Sequence, residues 1–254
     1  MTMHDNTVTA FSFQSLFQIP VPTEWDAQTE IITTHPVCIE SRECQRLVSL
    51  VHQTLPLANI ISIDRIQNLW LWDKYTHCKA RMLMKSQEAA TEQDLFHGTR
   101  AVPPEQLYQD EHGFDFRLAS RRARWGAGSY FTPCASYSDR YAYRIPGTVN
   151  KQVLNAKVLI GVSCLWPEDN TVTKPPPKPA NAMSSLNFCN ECYESIHGQT
   201  TNTDIYIIYD HEKAYPTDPS KAVAPGAAVP LEVTPRGTLF ALSSAEKWTR
   251  LYQI

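Results

Sequence analysis

Two short segments of this chain carry side chains whose types and spacing suit the binding of a flat dinucleotide. They are Asp94-Leu95-Phe96-His97-Gly98-Thr99-Arg100 and Trp125-Gly126-Ala127-Gly128-Ser129-Tyr130-Phe131. In the first, an imidazole and a hydroxyl flank Gly98, whose missing side chain lets a ligand approach the main chain closely. In the second, two glycines precede Tyr130, an aromatic ring that can cover one face of a planar group. Together the two segments predict a clamp for a dinucleotide.

Ser138 and Tyr141 follow the second segment at spacings that allow them to line the same pocket. With these residues, the chain resembles the catalytic domain of the poly(ADP-ribose) polymerase family of ADP-ribosyltransferases. The resemblance rests on four features: the His-Gly-Thr turn at His97, the run Gly126–Phe131, the segment Ala135–Tyr141, and the strand Ile205–Asp210 followed by Ala214-Tyr215-Pro216. It extends from about Trp25 to Pro216.

The family's signature is a triad made of a His, a Tyr and a third residue on a late strand. His97 and Tyr130 match the first two members. The third position aligns with Ile205, where polymer-forming members carry Glu. The resemblance thus implies a catalytic set of His97, Tyr130 and Ile205, and the departure at Ile205 favours a mono-ADP-ribosyltransferase.

Such an enzyme takes NAD as its substrate, breaks the bond between nicotinamide and ribose, and needs no metal. The transition state resembles an oxocarbenium ion with a departing neutral ring, so orientation and electrostatic preorganisation matter more than covalent catalysis. The resemblance implies NAD contacts from six residues: His97, Gly98, Thr99, Tyr130, Ser138 and Tyr141.

Each of these contacts has an implied role. His97 is expected to hydrogen-bond the adenosine-side ribose, and Thr99 to lie beside the ribose. The Gly98 backbone and the Ser138 hydroxyl are expected to hold the nicotinamide carboxamide. The nicotinamide ring is expected to stack between two tyrosines, with a gain of about 1 kcal/mol beyond area burial. Those tyrosines are Tyr130 and Tyr141.

Three functions are compatible with these residues. The first is an active transferase that modifies protein acceptors, including itself. The second is a catalytically silent module of the same fold that binds NAD or a partner, although the presence of both His97 and Tyr130 argues against it. The third is transfer to nucleic acid ends, supported only by the basic cluster Arg117–Arg124. That cluster is interpreted either as a solvated basic loop or as a loop over the diphosphate of the dinucleotide.

Composition narrows the class of protein. The 254 residues are 43% hydrophobic, which is enough for a substantial core, and the net charge of −3 gives no global attraction to nucleic acid. Seven cysteines, an odd number, suit a reducing compartment, so we expect an intracellular protein, nuclear or cytoplasmic, with no membrane span. Cys189 and Cys192 form a lone Cys-x-x-Cys, which favours free thiols over zinc.

The predicted fold class is α+β: an ADP-ribosyltransferase fold with a split, mostly antiparallel sheet flanked by short helices. We divide the chain into a flexible lead-in (1–24), the catalytic domain (25–216) and a divergent C-terminal segment (217–254). Strands are predicted at Ile31–Thr34, Ile60–Arg65, the residues before His97, Lys151–Cys164 and Asp204–Tyr209. Helices are predicted from the N-cap Ser41 through His52, and at Leu69–Gln87, Glu105–Tyr108 and Ser136–Tyr143.

The chain departs from the family's pattern after Pro216. Members of the family finish with an apolar strand directly after the Tyr-Pro pair, whereas here Thr217-Asp218-Pro219-Ser220 leads toward an Ala/Pro-rich stretch. Two alternatives follow: Thr238–Leu242 supplies that strand from further along the chain, or the last residues form an unrelated tail. The Pro-rich stretch Pro167–Pro179 is predicted to be a loop.

Overall fold

The computed structural model describes residues 20–118, 123–179, 192–200 and 203–223, together with the pairs 239–240 and 250–251. The first nineteen residues of the predicted lead-in, the middle of the Arg117–Arg124 cluster, Cys189 and most of the C-terminal segment lie outside these ranges. Among the helices in the described ranges, none has both the length and the apolar character needed to cross a membrane.

Strands dominate the described part of the chain. They are β1 (Ile32–Pro36), β2 (Asn59–Asn68), β3 (Glu92–His97), β4 (Ser129–Phe131), β5 (Tyr143–Arg144), β6 (Asn150–Leu159), β7 (Ser163–Leu165), β8 (Ser195–Gln199), β9 (Asp204–Ile208), β10 (Ala214–Val223), β11 (Leu239–Phe240) and β12 (Arg250–Leu251). The α-helices are α1 (Arg42–His52), α2 (Leu69–Lys85), α3 (Pro104–Gln109) and α4 (Ala135–Asp139). Short 3-10 turns occur at Glu88–Ala90, Phe116–Leu118 and His211–Lys213.

Two sheets form the scaffold. The larger has the order β1-β2-β10-β6-β3, with β5 also paired to β6, and the smaller has the order β4-β9-β8-β7. Every strand pair in them is antiparallel except β7 with β8. The sheets meet where Phe96 and Thr132 exchange backbone hydrogen bonds of 2.8 and 3.1 Å. This arrangement confirms the predicted α+β class with a split, mostly antiparallel sheet.

The main hydrophobic core ties the two sheets together. Leu95 and Leu154 from the larger sheet pack in one cluster with Phe131 and Ile208 from the smaller sheet, and all four side chains are almost fully buried. Because close-packed interiors resist local distortion, strand ends at this junction are rigid supports. His97 and Tyr130 lie at such positions, because they are next in sequence to the buried residues Phe96 and Phe131.

Local sequence signals placed two helix starts correctly. The Ser41 hydroxyl accepts a hydrogen bond of 3.1 Å from the Cys44 backbone N–H, which confirms the predicted N-cap of α1. The Asn68 side chain caps α2 in the same way, by accepting from the Leu71 N–H at 3.1 Å. The strand predicted over Ile60–Arg65 is longer in the structure, because β2 continues through Gln67 to Asn68.

Two predicted elements were wrong in extent. The strand expected over Lys151–Cys164 is two strands, β6 and β7. Gly161, which lies between them, has a positive φ of 53° and interrupts the extended backbone. The helix expected over Ser136–Tyr143 ends at Asp139, and Tyr143 instead joins β5 opposite Gln152. Strands β4, β5, β8, β10 and β12 were not predicted.

The expectation for the chain after Pro216 was also wrong. β10 continues from Ala214 to Val223 and lies inside the larger sheet, between β2 and β6. The ladder register shifts between Pro216 and Asp218, and the Thr217 hydroxyl donates to Asn155 at this irregularity. A bulge lets a strand contain a proline, which cannot donate to the ladder. The strand thus crosses the predicted boundary at 216, while Leu239–Phe240, within the alternative segment Thr238–Leu242, pairs with Arg250–Leu251.

Candidate functional site

A cavity of about 690 Å³ opens beside the junction of the two sheets. Its wall includes the end of β3, the turn after it, strand β4, the C-terminal side of α4 and one residue of β9. The structure brings every predicted site residue to this wall: His97, Gly98, Thr99, Tyr130, Ser138, Tyr141 and Ile205. Their roles toward a ligand stay predictions.

His97 is held in one tautomer by the junction. Its Nδ1 lies 2.8 Å from the Tyr130 carbonyl oxygen, and because a carbonyl accepts, Nδ1 carries the proton. Burial lowers the pKa of His97 below its ordinary value of 6.5, partly offset by this hydrogen bond, so the ring is neutral at pH 7. Phe114 and Phe131 pack against the ring at centroid distances of 5.1 and 5.3 Å. Nε2 is therefore a lone-pair acceptor, and no described residue hydrogen-bonds to it.

The turn after His97 lies against the end of α4. A Cβ on Gly98 would be 2.6 Å from the Tyr141 carbonyl group and 2.7 Å from the Ser138 carbonyl oxygen. Packing of the protein on itself thus requires glycine here, in addition to the close ligand approach that the sequence suggested. The same contact places Gly98 beside two other predicted binding residues.

The hydroxyl groups near this turn differ in availability. Ser138 is 3% exposed, and its hydroxyl makes no hydrogen bond within the described part of the chain, so a ligand can engage it. The Thr99 hydroxyl donates to the Val102 carbonyl oxygen at 2.6 Å and keeps only acceptor capacity. Ser138 is therefore better placed than Thr99 to donate a hydrogen bond to a bound group.

Tyr130 fixes the glycine-rich turn through its hydroxyl. The hydroxyl accepts from the Trp125 backbone N–H at 2.9 Å and donates to the Gly126 carbonyl oxygen at 2.8 Å. Burial raises the pKa of Tyr130 to about 12, so it stays neutral and does not serve as an acid or base near pH 7. Gly126 has a φ of 71°, and a Cβ there would overlap the Val172 carbonyl oxygen. The ring face of Tyr130 is what remains for a ligand.

Ile205 gives part of the cavity wall a hydrocarbon surface. It is 2% exposed and belongs to an apolar cluster with Trp125, Ile196 and Ile207. The Trp125 ring packs so closely on Gly198, the partner of Ile205 in the ladder, that a Cβ on Gly198 would lie 2.1 Å from the ring. This part of the wall offers no hydrogen-bonding side chain at position 205.

The described arginines of the basic cluster already have partners. Arg117 forms an ion pair with Asp115 at 2.8 Å, and Arg124 pairs with Glu168 at 2.9 Å. Residues 119–122, which include the other two arginines, lie outside the described residues. Nothing in the described geometry therefore singles out Arg117 or Arg124 as a phosphate ligand.

Zinc binding at the Cys-x-x-Cys pair was the less favoured alternative. Most of this segment lies outside the described ranges. Cys192 is exposed, and Cys189 is not described. In the part of the chain that the structure covers, no group of three or more His, Cys, Asp or Glu side chains is arranged to hold a metal ion.

Two cavity residues received no role from the sequence. The guanidinium carbon of Arg100 lies 4.4 Å from the centre of the Tyr141 ring. The Tyr137 and Tyr141 rings pack at a tilt of 43° with centroids 5.4 Å apart, and their hydroxyl oxygens are 3.3 Å apart. Their sequence signal was position alone, because Arg100 directly follows the His-Gly-Thr turn and Tyr137 lies within the segment Ala135–Tyr141.

Comparison with known proteins gives consistent matches. A family model described as the poly(ADP-ribose) polymerase catalytic domain matches residues 41–217. Human protein mono-ADP-ribosyltransferase PARP12 is 30% identical over 178 residues, which are 69% of this chain and 24% of that protein. Mouse protein mono-ADP-ribosyltransferase PARP11 is 28% identical over 233 residues, 83% of this chain and 67% of that protein. The chain thus spans about a quarter of the first relative and two thirds of the second.

Proposed function

We propose that this chain, which belongs to the poly(ADP-ribose) polymerase catalytic domain family, transfers one ADP-ribose unit from NAD to a protein side chain and releases nicotinamide. One observation carries the proposal: a single cavity wall combines the neutral imidazole of His97, the unengaged Ser138 hydroxyl and the apolar Ile205. His97 and Ser138 suit the binding of a dinucleotide, whereas Ile205 provides no group that could help to extend an ADP-ribose polymer.

The polar end of the cavity fits NAD. Gly98 packs against the Ser138 main chain, and both residues line the cavity, so a main-chain group and a hydroxyl are available to a carboxamide, which has one donor group and one acceptor group. Tyr141 adjoins them and offers an aromatic face to the nicotinamide ring. His97 Nε2, an acceptor, matches a ribose hydroxyl that donates.

The residues act by holding the two sides of the scissile bond in place. Cleavage expels a neutral ring and leaves positive charge on the ribose, so the enzyme needs no acid for the leaving group. A neutral His97 adds no repelling charge, and its ring is fixed by the Tyr130 carbonyl oxygen and two phenylalanine contacts. Orientation of this kind supplies much of the rate enhancement when the bound geometry is near that of attack.

Ile205 limits the reaction to one transfer. Elongation needs a group that accepts a hydrogen bond from the ribose hydroxyl of an ADP-ribose already attached, and an isoleucine side chain has none. A first transfer does not require that group when the target supplies its own nucleophilic side chain. The relatives PARP12 and PARP11 carry the name protein mono-ADP-ribosyltransferase, which supports protein acceptors here. We propose that this chain is itself one of the acceptors.

The experiment uses NAD labelled on the adenine side, incubated with the protein alone, with a mixture of candidate protein acceptors, and separately with nucleic acid of defined ends. We expect label on protein and free nicotinamide in equal amounts. Label on nucleic acid alone would overturn the choice of protein acceptors. NAD binding without release of nicotinamide would indicate the catalytically silent module instead.

A further inference from the structure

The backbone of Arg100 is held in an unusual conformation at the cavity. Its φ of 56° lies in the left-handed region, and no other non-glycine residue in the described ranges has a positive φ. The Arg100 N–H donates to the Tyr141 carbonyl oxygen at 2.7 Å, which keeps the turn in place. Such strain is uncommon away from functional sites, because it must be compensated by the surrounding structure.

The Arg100 guanidinium is part of the cavity wall. The guanidinium carbon lies 4.4 Å from the centre of the Tyr141 ring, and Arg100 lines the cavity together with His97 and Gly98. A cation–π contact at a partly exposed site is weak, so it does not prevent the guanidinium from turning toward a ligand.

Charge pairing distinguishes Arg100 from Arg124, the other described arginine of the wall. Arg124 is paired with Glu168, and the wall residue Asp115 is paired with Arg117. Asp110 accepts a hydrogen bond from a backbone N–H. Within the described ranges, Arg100 has no ion pair, and its side chain contacts the Tyr141 ring. Its five N–H donors therefore remain available to an anion.

We infer that Arg100 binds the diphosphate of NAD, a role that the sequence analysis gave to the Arg117–Arg124 cluster as one of two alternatives. This inference rests on the proposed function. The planar guanidinium matches two phosphate oxygens at once, and such charge-assisted pairs are among the stronger hydrogen bonds. Arg100 is three residues from His97 and touches Tyr141, the residues proposed to hold the two ends of the dinucleotide, so it lies where the connecting phosphates belong.

The test measures the affinity of three probes by calorimetry: NAD, ADP-ribose, which has the diphosphate but no nicotinamide, and benzamide, which resembles nicotinamide and has no phosphate. Arg100→Gln should weaken NAD and ADP-ribose about tenfold to a hundredfold, the usual cost of a lost charged hydrogen-bonding partner. Benzamide affinity should change by less than about twofold, since uncharged stacking does not involve the guanidinium. Arg100→Lys should recover part of the loss, because it keeps the charge but not the bidentate fork.

Arg140→Gln is the matched control. Its guanidinium also lies over a tyrosine ring, that of Tyr137 at 5.6 Å, but Arg140 is not part of the described cavity wall. That variant should bind all three probes like the unmodified protein. Arg100→Gly, which removes the side chain and relieves the left-handed backbone, should repeat the Arg100→Gln result and excludes misfolding as its cause.

Two results would overturn the inference while leaving the proposed function intact. Equal weakening of benzamide and ADP-ribose would mean that Arg100 positions the Tyr141 ring and does not bind phosphate. Unchanged affinity for ADP-ribose in Arg100→Gln and Arg100→Gly would mean that another group meets the diphosphate. If the unmodified protein binds none of the three probes, the proposed function and the inference fail together.

Discussion

Two parts of the cavity wall, which we call the polar end and the apolar end, offer a ligand opposite kinds of surface. At the polar end, Ser138 and His97 present a hydroxyl and a ring nitrogen that no described side chain engages. At the apolar end, Ile205 packs with Trp125 and presents only hydrocarbon. Under the proposed function, holding the dinucleotide and extending a polymer need separate groups, and this chain has the first set without the second.

The apolar surface depends on one side chain of β9. Tyr130 on β4 pairs directly with Ile207 on β9, two residues from Ile205, so Ile205 belongs to the same antiparallel ladder as Tyr130. His97 and Ser138 lie on other elements, β3 and α4. A single side chain on β9 therefore changes the chemistry while the strands stay in register. This separation can be broken from either end.

Removing the polar end should have the largest effect. His97→Ala deletes the acceptor for the ribose hydroxyl, and loss of a positioning contact at a reacting centre costs about a hundredfold or more in rate. The measurement is the initial rate of nicotinamide release. His77→Ala, an exposed histidine outside the cavity, should keep the full rate. An undiminished rate in His97→Ala would remove His97 from the account.

Placing a polar group at the apolar end should damage stability. Ile205→Glu buries a carboxylate among Trp125, Ile196 and Ile207, and the free energy of unfolding should fall by about 2–4 kcal/mol. Ile205→Val, the matched variant, loses one methylene and should cost about 0.5–1.5 kcal/mol. Denaturant titration measures both. If Ile205→Glu proved as stable as Ile205→Val, residue 205 would reach water and the apolar description of this end would be wrong.

A smaller effect on affinity is expected at the aromatic face of the polar end. Tyr141→Ala should weaken NAD binding by roughly 1–3 kcal/mol, the combined worth of ring stacking and area burial. Calorimetry gives the value, and Tyr143→Ala, on β5 and outside the described cavity wall, is the control. NAD affinity that does not change in Tyr141→Ala would place the ligand elsewhere.

Acidification is the mildest way to disturb the polar end. Protonation of His97 puts a hydrogen on Nε2 and removes the acceptor, so activity should be present above the pKa of His97 and lost as pH falls through it. Because burial lowers that pKa below 6.5, the unmodified protein should keep more than half of its kcat/KM at pH 6.5. A pH–rate profile with its acid midpoint at or above 6.5 would show that burial does not govern His97.

Much of the site was predictable because its residues are close together in the sequence. His97, Gly98 and Thr99 form one turn, and Tyr130, Ser138 and Tyr141 lie within one short run, so local motifs identified them together. The predicted cap at Ser41 was equally local, since its hydroxyl accepts from a backbone N–H three residues away. The cap at Asn68 has the same geometry but was not predicted. Ile205 was placed by its alignment with the family's third triad position.

What was missed depends on contacts between distant segments. The break at Gly161 follows from packing against Ala89 and Glu194, which no local pattern reveals. β10 is tolerated inside the sheet despite its prolines because Thr217 bonds to Asn155 of β6. The contrast between Arg100, which has no ion pair among the described residues, and Arg117 and Arg124, which are paired, is visible only in the folded structure. Each of these features is a property of the folded neighbours.

The length of the product tests the central claim most directly, because it turns on the contrast between the polar end and Ile205. The protein is incubated with NAD and an acceptor, itself included, and the products are weighed by intact-mass spectrometry. We expect discrete increments, each equal to one ADP-ribose per modified site, and their absence in His97→Ala. Long ladders of ADP-ribose on single sites of the unmodified protein would contradict the claim that an apolar residue at position 205 confines this chain to a single transfer.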